Sequence, residues 1–444
     1  MGPKSVIYLP IEFRSREFDG KLSLAAKLVQ SGFTVVIGQQ WAMYENFAAL
    51  PTGVVLFKST NKIHNGGMYR AKMAGHVVAT LEEESMALIS SEAIIRNCPP
   101  DTYKFVDFLL TTGDVERDTH ISQGYDARRL IVTGNPRVDV LKPLYRPLFQ
   151  DAIDQLHTKF GAFVLLNTNF GIKNSKWGSL EAVRNIEIKA GALNPADPAS
   201  VKRFEEMCEW EEKNSQALFA TVTRLAASHR NRTFIVRPHP SESIEKVAVQ
   251  YAHIPNVKVI HEGPHVPWTL GCEVLLHTSC TTGLEAAIAG KQAASLVPLD
   301  TWASRAFLSN KVNPVFTNVD AIVENTDKIL MGQSGIAPPP LASFETYIRN
   351  IAGTMSIDLI VDFLRKIPYV AGDLRFNPIP MPQRTGVLLE KCLISAEDMK
   401  TALRRMARIY GLPTGVEYPA LMMGDSLFIM PPLNGQVRQV AAGT

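Results

Sequence analysis

Short apolar runs separated by amphipathic stretches recur along most of the chain. Residues 6–9 (Val-Ile-Tyr-Leu) form the first run; a charged loop over 10–20 follows, then an amphipathic stretch over 21–30 that Gly32 stops, then a second run at 34–37. Short apolar runs bounded by turn residues read as strands buried on both faces, and their alternation with helical stretches predicts a parallel sheet. Similar runs come at 54–57, 76–81, 108–111 and 130–133. A second series starts at 163–166 and continues at 233–236, 257–260, 274–277 and 293–297. The expected fold class is therefore α/β, with two Rossmann-like domains facing across a cleft and a helical extension at the C-terminal end. The corresponding domains are 1–150, 151–340 and 341–444.

Two segments interrupt this rhythm. Residues 177–214 are polar and charged, carry Pro195 and Pro198, and turn helical from Pro198 onward; they read as a lid or acceptor-side loop, or equally as a surface helix. After the prolines at 338–340, a helical pattern over 344–366 is placed to cross back to the first domain. Beyond Pro368 a further helix is expected over 396–410, with Leu403, Met406 and Ile409 on one side. Such a stripe is more often core packing than a membrane or partner surface.

Composition narrows the class of protein. With 444 residues, 46% hydrophobic and 20% charged, the chain fits two or three folded domains and neither a disordered chain nor a membrane bundle. A net charge of +3 gives no reason to invoke nucleic acid. The five cysteines, Cys98, Cys208, Cys272, Cys280 and Cys392, form no CxxC pair, which disfavours a zinc site or a disulfide framework and suits a reducing compartment. No secretory signal or spanning apolar run is evident, so the expected location is cytoplasmic, with any membrane contact peripheral at the inner-membrane face. No DxD-like acidic pair is present, so neither a metal nor a cofactor is expected.

Several loops carry candidate chemistry because they follow strands, and open parallel sheets bind ligands at the carboxyl ends of their strands. Arg237-Pro238-His239-Pro240 follows the run at 233–236. Arg237 can fork onto phosphate oxygens, His239 can give a hydrogen bond or proton to a departing phosphate, and two prolines stiffen the turn. His277-Thr278-Ser279-Cys280-Thr281-Thr282-Gly283 opens an Ala-rich helix, so hydroxyls and unpaired N–H groups converge at a helix start, an anion site by construction. A single Ser/Thr cap accounts for only one of those hydroxyls. Glu285, one turn inside, could reach a ribose diol or simply complement the helix dipole. Asn167, Thr168 and Asn169 follow the first strand of the second series and could contact a diphosphate or sugar, or build a plain turn. In the first domain Glu82, Glu83 and Glu84 follow the run at 76–81 and would face the cleft, as general base, as nucleophile, or merely as an acidic helix start. Arg14 and Arg16 in the opening loop could bind an anionic sugar or acceptor, or pair with Glu12, Glu17 and Asp19.

Six segments together resemble the surface carbohydrate biosynthesis proteins related to the bacterial Kdo transferases, glycosyltransferases of the GT-B fold. They are LPIEFRSREFDGKL (9–22), LEEES (81–85), VTGNPRVDVL (132–141), LLNTNFG (165–171), RPHPSE (237–242) and HTSCTTGLEAAIAGK (277–291), and the likeness covers most of residues 5–300. The resemblance implies transfer of an acidic sugar, Kdo or another nonulosonic acid, from its CMP conjugate to a growing glycan or lipid-linked glycan of a lipopolysaccharide or capsule. It implies that His239, Ser279, Thr281 and Thr282 hold the CMP phosphate, that Glu285 holds the ribose, and that 265–268, ending in Trp268, lies near the cytosine. A first-domain carboxylate would face the sugar, Glu82 and Glu83 weighing equally; the family's pattern is often Asp-Glu-Glu where this chain has three glutamates. Two alternatives stay open: a UDP-sugar transferase or 2-epimerase of the same fold, and a non-catalytic scaffold that binds a partner enzyme through the helix at 396–410.

Overall fold

The structure is a computed structural model that describes residues 4–368, 374–377, 379, 392–410, 420–423, 426–433 and 438–439. Much of the 369–444 tail thus lies outside the described residues. The chain divides into two units, one of residues 1–148 with 342–444 and one of residues 149–341.

In the first unit, β1 (Lys4–Ile11), β2 (Phe33–Gln39), β3 (Gly53–Phe57), β4 (Val77–Leu81), β5 (Phe108–Thr111) and β6 (Leu130–Val132) lie parallel in the order β2-β1-β3-β4-β5-β6. Ile7 pairs with Val35 on one side and Val54 on the other, and all three side chains are buried, which is why these strands read as unbroken apolar runs. The strand order reverses at β1, so the loops leaving β1 and β3 part company there and open a crevice at the carboxyl edge. Helix Arg14–Gln30 buries Phe18, Leu22, Leu24 and Leu28.

The C-terminal segment completes this unit. Strand Leu427–Met430 adds to the free edge of β2 in antiparallel register, Phe428 opposite Ile37, and Leu421–Met422 pairs beyond it. Gly38 makes the approach possible: its φ is +143°, and a Cβ there would collide with the Ser426 carbonyl oxygen. Helix Ala396–Ile409 buries Met399, Leu403 and Met406, and the hydroxyl of the following Tyr410 donates to the Ser23 carbonyl at 3.0 Å. Its apolar stripe is thus packed inside the unit. The helix expected over 344–366 is confined to Ser356–Lys366. Upstream, the Glu345 carboxylate accepts from the N–H groups of Asn350 (2.7 Å) and Ala352 (3.3 Å), and Asn350 has φ +63°, a turn that a helix cannot contain.

In the second unit, β7 (Phe163–Asn167), β8 (Thr233–Arg237), β9 (Val257–Val259), β10 (Leu275–His277), β11 (Ala293–Leu296) and β12 (Val315–Phe316) lie in the order β12-β11-β10-β7-β8-β9. Counted from β7, this is the 3-2-1-4-5-6 Rossmann arrangement read from the other side, and its switch point falls between β7 and β10. The 177–214 insertion resolves into helix Leu180–Lys189 and the first half of Pro198–Ser228, which Asp197 caps with Pro198 in the first helical position. The second half of that helix buries Leu218, Val222 and Leu225 in a core with Phe234 and Val236 of β8. Among the described residues no helix is long and apolar enough to cross a membrane.

Candidate functional site

At the switch point of the second unit, the loops after β7 and β10 are joined side chain to side chain. Asn167 Nδ2 donates to Thr282 Oγ1 at 2.8 Å, and Thr278 Oγ1 donates to Asn169 Oδ1 at 2.7 Å. The loop after β8 is held to the same edge by Glu242. Its Oε1 accepts from Thr168 Oγ1 (2.5 Å), Phe170 N (3.1 Å) and His239 N (2.9 Å), and its Oε2 accepts from Asn174 Nδ2 (3.0 Å). Three ligand-candidate loops are therefore fixed by contacts between residues more than 60 positions apart.

His239 is exposed on this edge. Its Nδ1 accepts from the Ser241 backbone N–H at 3.2 Å, with the Ser241 hydroxyl also 2.7 Å away. A backbone amide can only donate, so the neutral ring carries its proton on Nε2, the atom suited to donate to an anion. Helix Thr281–Ile288 starts without a side-chain cap, and Thr281 and Thr282 sit half-buried in its first turn. Uncapped N–H groups and the dipole there favour negative charge. Two candidate hydroxyls are turned inward: Ser279 accepts from Asn310 Nδ2 at 2.8 Å, and Thr278 is spent on Asn169. Ser279 has φ +59°, so this tight connection places a non-glycine residue in the left-handed region.

Arg237 and Trp268 have partners other than a ligand. The Arg237 guanidinium donates to the carbonyls of Glu262 (2.8 Å) and Gly263 (3.1 Å) and stacks 4.8 Å over the Trp268 ring. Burial lowers its pKa to about 10, which leaves it charged at neutral pH. The Trp268 indole donates to the same Glu262 carbonyl at 3.1 Å and packs against Phe160 and Phe163 in the core. Both therefore brace the 262–263 turn from inside, where they were expected against the ligand. Glu285 is buried, with Oε2 2.5 Å from His265 Nε2, so the helix after β10 is linked to the start of helix His265–Gly271.

The first unit gathers charge at its own switch point. Lys58, just past β3, lies 2.6 Å from Glu12, 2.6 Å from Glu84 and 3.7 Å from Glu17. Lys21 lies 2.9 Å from Glu17 and 3.4 Å from Glu83, and Arg16 2.8 Å from Glu84. Arg14 turns away to Asp398 at 2.8 Å and the Leu393 carbonyl at 2.9 Å. Both candidate arginines are thus in protein ion pairs.

The three glutamates occupy different environments. Glu82 is fully buried; its Oε1 accepts from Thr60 N at 2.6 Å, and its Oε2 from Ser59 Oγ at 3.1 Å and Cys98 Sγ at 2.8 Å. Burial, then the neighbouring Glu116 charge, pushes its pKa up to about 7. It ties the β3 loop to the end of β4, and both of its oxygens are occupied. Glu83 is also buried and raised, by burial against the pull of Lys21, and its Oε2 has no hydrogen-bond partner. For Glu84, burial is outweighed by Arg16 and Lys58, which bring it down to about 2. Glu83 is therefore the buried glutamate of the three with an oxygen that accepts no hydrogen bond.

Lys21, Lys58 and Glu242 were not singled out from the sequence, although Lys21 and Glu242 lie within segments quoted above. Among the described residues no group of three or more His, Cys, Asp or Glu is arranged to hold a metal ion.

Two Rossmann-like units, each built on a six-stranded parallel arrangement with a polar carboxyl edge, make this a protein of the GT-B fold class. Among solved structures the chain is similar to a putative UDP-N-acetylglucosamine 2-epimerase from Listeria monocytogenes, at 12% identity over 82% of this chain and 96% of that one, with a TM-score of 0.51. It is also similar to the UDP-GlcNAc 2-epimerase from Neisseria meningitidis bound to UDP-GlcNAc (13% identity, 82% and 100% covered, TM-score 0.48). A further similarity is to the wall teichoic acid polymerase TagF (10% identity, 82% and 89% covered, TM-score 0.49). At 12% identity the Listeria likeness bears on the fold and on nothing finer. No protein-family model and no curated protein matches the sequence.

Proposed function

We propose that the chain is a glycosyltransferase whose donor is a CMP-activated acidic sugar, Kdo foremost, and whose acceptor is a growing bacterial surface glycan. The observation that carries the reading is the switch point of the second unit, where Asn167, Asn169, Thr282 and the uncapped start of helix Thr281–Ile288 come together, with His239 held at the same edge through Glu242. The donor phosphate is assigned to that helix start, with His239 Nε2–H donating to the departing phosphate oxygen as the glycosidic C–O bond breaks. The buried Glu285–His265 pair is assigned to the ribose side. In the first unit Glu83 is the reactive carboxylate, as base toward an acceptor hydroxyl or as nucleophile at the anomeric carbon. Glu82, with both oxygens hydrogen-bonded, is left a positioning role.

The test is incubation with CMP-Kdo and chromatographic detection of CMP, with and without oligosaccharide acceptors, beside thermal denaturation in CMP, CDP and UDP. CMP release and stabilisation by CMP are expected. A ligand at 100 times its dissociation constant stabilises by about 2.7 kcal/mol, a readily measured shift. Stabilisation by UDP alone would overturn the CMP assignment in favour of a UDP-sugar transferase or epimerase, the activity named for the Listeria neighbour.

A further inference from the structure

The first unit has a concave feature that the donor chemistry does not use. A cavity of about 130 Å³ is lined by Trp41, Tyr44, Glu45, Ile63, Gly66 and Arg70, with others. Trp41, Tyr44 and Glu45 belong to helix Gln40–Asn46, which leaves the carboxyl end of β2; Ile63, Gly66 and Arg70 belong to the segment that leaves β3 and enters helix Asn65–Met73. Both segments leave the carboxyl ends of parallel strands, the side on which open α/β sheets take ligands.

The lining has the chemistry of a sugar site. Trp41 is half-buried and stands edge-on to Tyr44, ring centres 5.6 Å apart at 77°, which fixes its indole as a rigid wall. Arg70 is exposed and has no ion-pair partner among the described residues. The Tyr44 wall is fixed from behind, its hydroxyl lying 3.3 Å from Gln40 Oε1 and 3.3 Å from His64 Nδ1. Sites that enclose whole drug-sized ligands run to about 300–1,000 Å³, so this cavity is too small for a nucleotide and fits a single ring.

We infer that this cavity is a carbohydrate subsite that holds one pyranose ring of the acceptor glycan, its C–H face on Trp41 and its hydroxyls toward Arg70 and Glu45. The word acceptor rests on the function proposed above; binding of a sugar ring does not. Gly66 supplies a clean probe, since it lines the cavity, is exposed, and a Cβ added there meets nothing within 4 Å. A Gly66→Met side chain can therefore be added at the cavity's lining without a clash at its Cβ.

The experiment is saturation-transfer NMR on the full chain with the methyl glycosides of glucose, galactose and N-acetylglucosamine, on wild type, Trp41→Ala and Gly66→Met. Ring-proton transfer is expected in the wild type, weakened by about tenfold or more in both variants, a loss of one order in affinity. Gly66→Met should melt no lower than wild type, which separates a filled cavity from a damaged fold. Absence of transfer from every glycoside, or undiminished transfer in Gly66→Met, overturns the inference. CMP stabilisation, read in the same samples, reports on the donor site separately: it should be equal in all three proteins, and its absence in the wild type would strike the proposed function while leaving a sugar-binding cavity standing.

Discussion

Glu242 offers the sharpest test of how the second unit holds its site. Its two oxygens accept four hydrogen bonds from Thr168, Phe170, Asn174 and His239, and the residue is 4% exposed. Replacing it with Gln preserves the shape. The amide oxygen can take the place of Oε1 and keep three donors, while the new NH₂ faces Asn174, whose own amide must flip to accept. What is lost is the charge on the acceptor. Hydrogen bonds to a charged group contribute about 1.5–3 kcal/mol each against about 0.5–1.5 for neutral pairs. Over four bonds the raw difference is about 4–6 kcal/mol, and the easier desolvation of a neutral amide offsets part of it, leaving about 2–4 kcal/mol. For a unit of this size each kcal/mol moves the melting temperature by about 2–4 °C. Glu242→Gln should therefore lower the melting transition of the second unit by about 5–15 °C. Glu242→Ala, which leaves four donors without an acceptor, should lower it further. The assay is scanning calorimetry with and without CMP, and the stabilisation by CMP should also shrink because His239 and the 168–170 loop lose their common anchor. A Glu242→Gln protein that melts within about 2 °C of wild type and keeps its full CMP response would refute the claim that this carboxylate organises the edge.

Other expectations follow from the same geometry. Glu82 has an ordinary pKa of 4.5 and one of about 7 when folded, so between those values the folded chain keeps a proton that the unfolded chain has released. Its contribution to stability therefore falls as pH rises through that window, and Glu82→Gln should gain on wild type between about pH 5 and about pH 8; an unchanged difference in melting temperature at the two values would contradict this. Glu83→Gln should cut CMP release from CMP-Kdo by about 100-fold to 10,000-fold with CMP stabilisation intact, and a variant with wild-type turnover removes Glu83 from the chemistry. Gly283→Ala would drive a Cβ into the buried ring of His277 and should destabilise by about 1–3 kcal/mol in urea denaturation. Gly66→Ala, with open space at the same atom, should be neutral or slightly stabilising in that assay.

The sheets were legible because parallel strands buried on both faces leave short continuous apolar runs, and β5 falls on residues 108–111 as expected. That the segments at 167–169, 237–240 and 278–283 leave strand ends was legible for the same reason, since each directly follows an apolar run. What each side chain does there was less so. Arg237 and Trp268 have the right chemistry for a phosphate and a base, yet each is turned to the Glu262 carbonyl, a partner 25 and 6 positions away that no local pattern marks. Lys58 escaped notice because its value lies in meeting Glu12 and Glu84 from separate loops. Strand Leu427–Met430 was missed because tertiary pairing with β2 overrides local propensity, and the turn after Glu345 because that carboxylate's bonds to nearby backbone N–H groups compete with a helix.

The antiparallel strand Leu427–Met430 has a consequence for how the protein is made. The second unit is one uninterrupted stretch of chain, 149–341, whereas the first draws its edge strand and two packed helices from beyond it. During synthesis the later unit can finish folding while the earlier one still shows β2 as an open edge. The usual vectorial order is thereby inverted: the first unit is begun first and sealed last, and until strand Leu427–Met430 emerges its exposed β2 backbone is open to a chaperone or to mispairing with a neighbour.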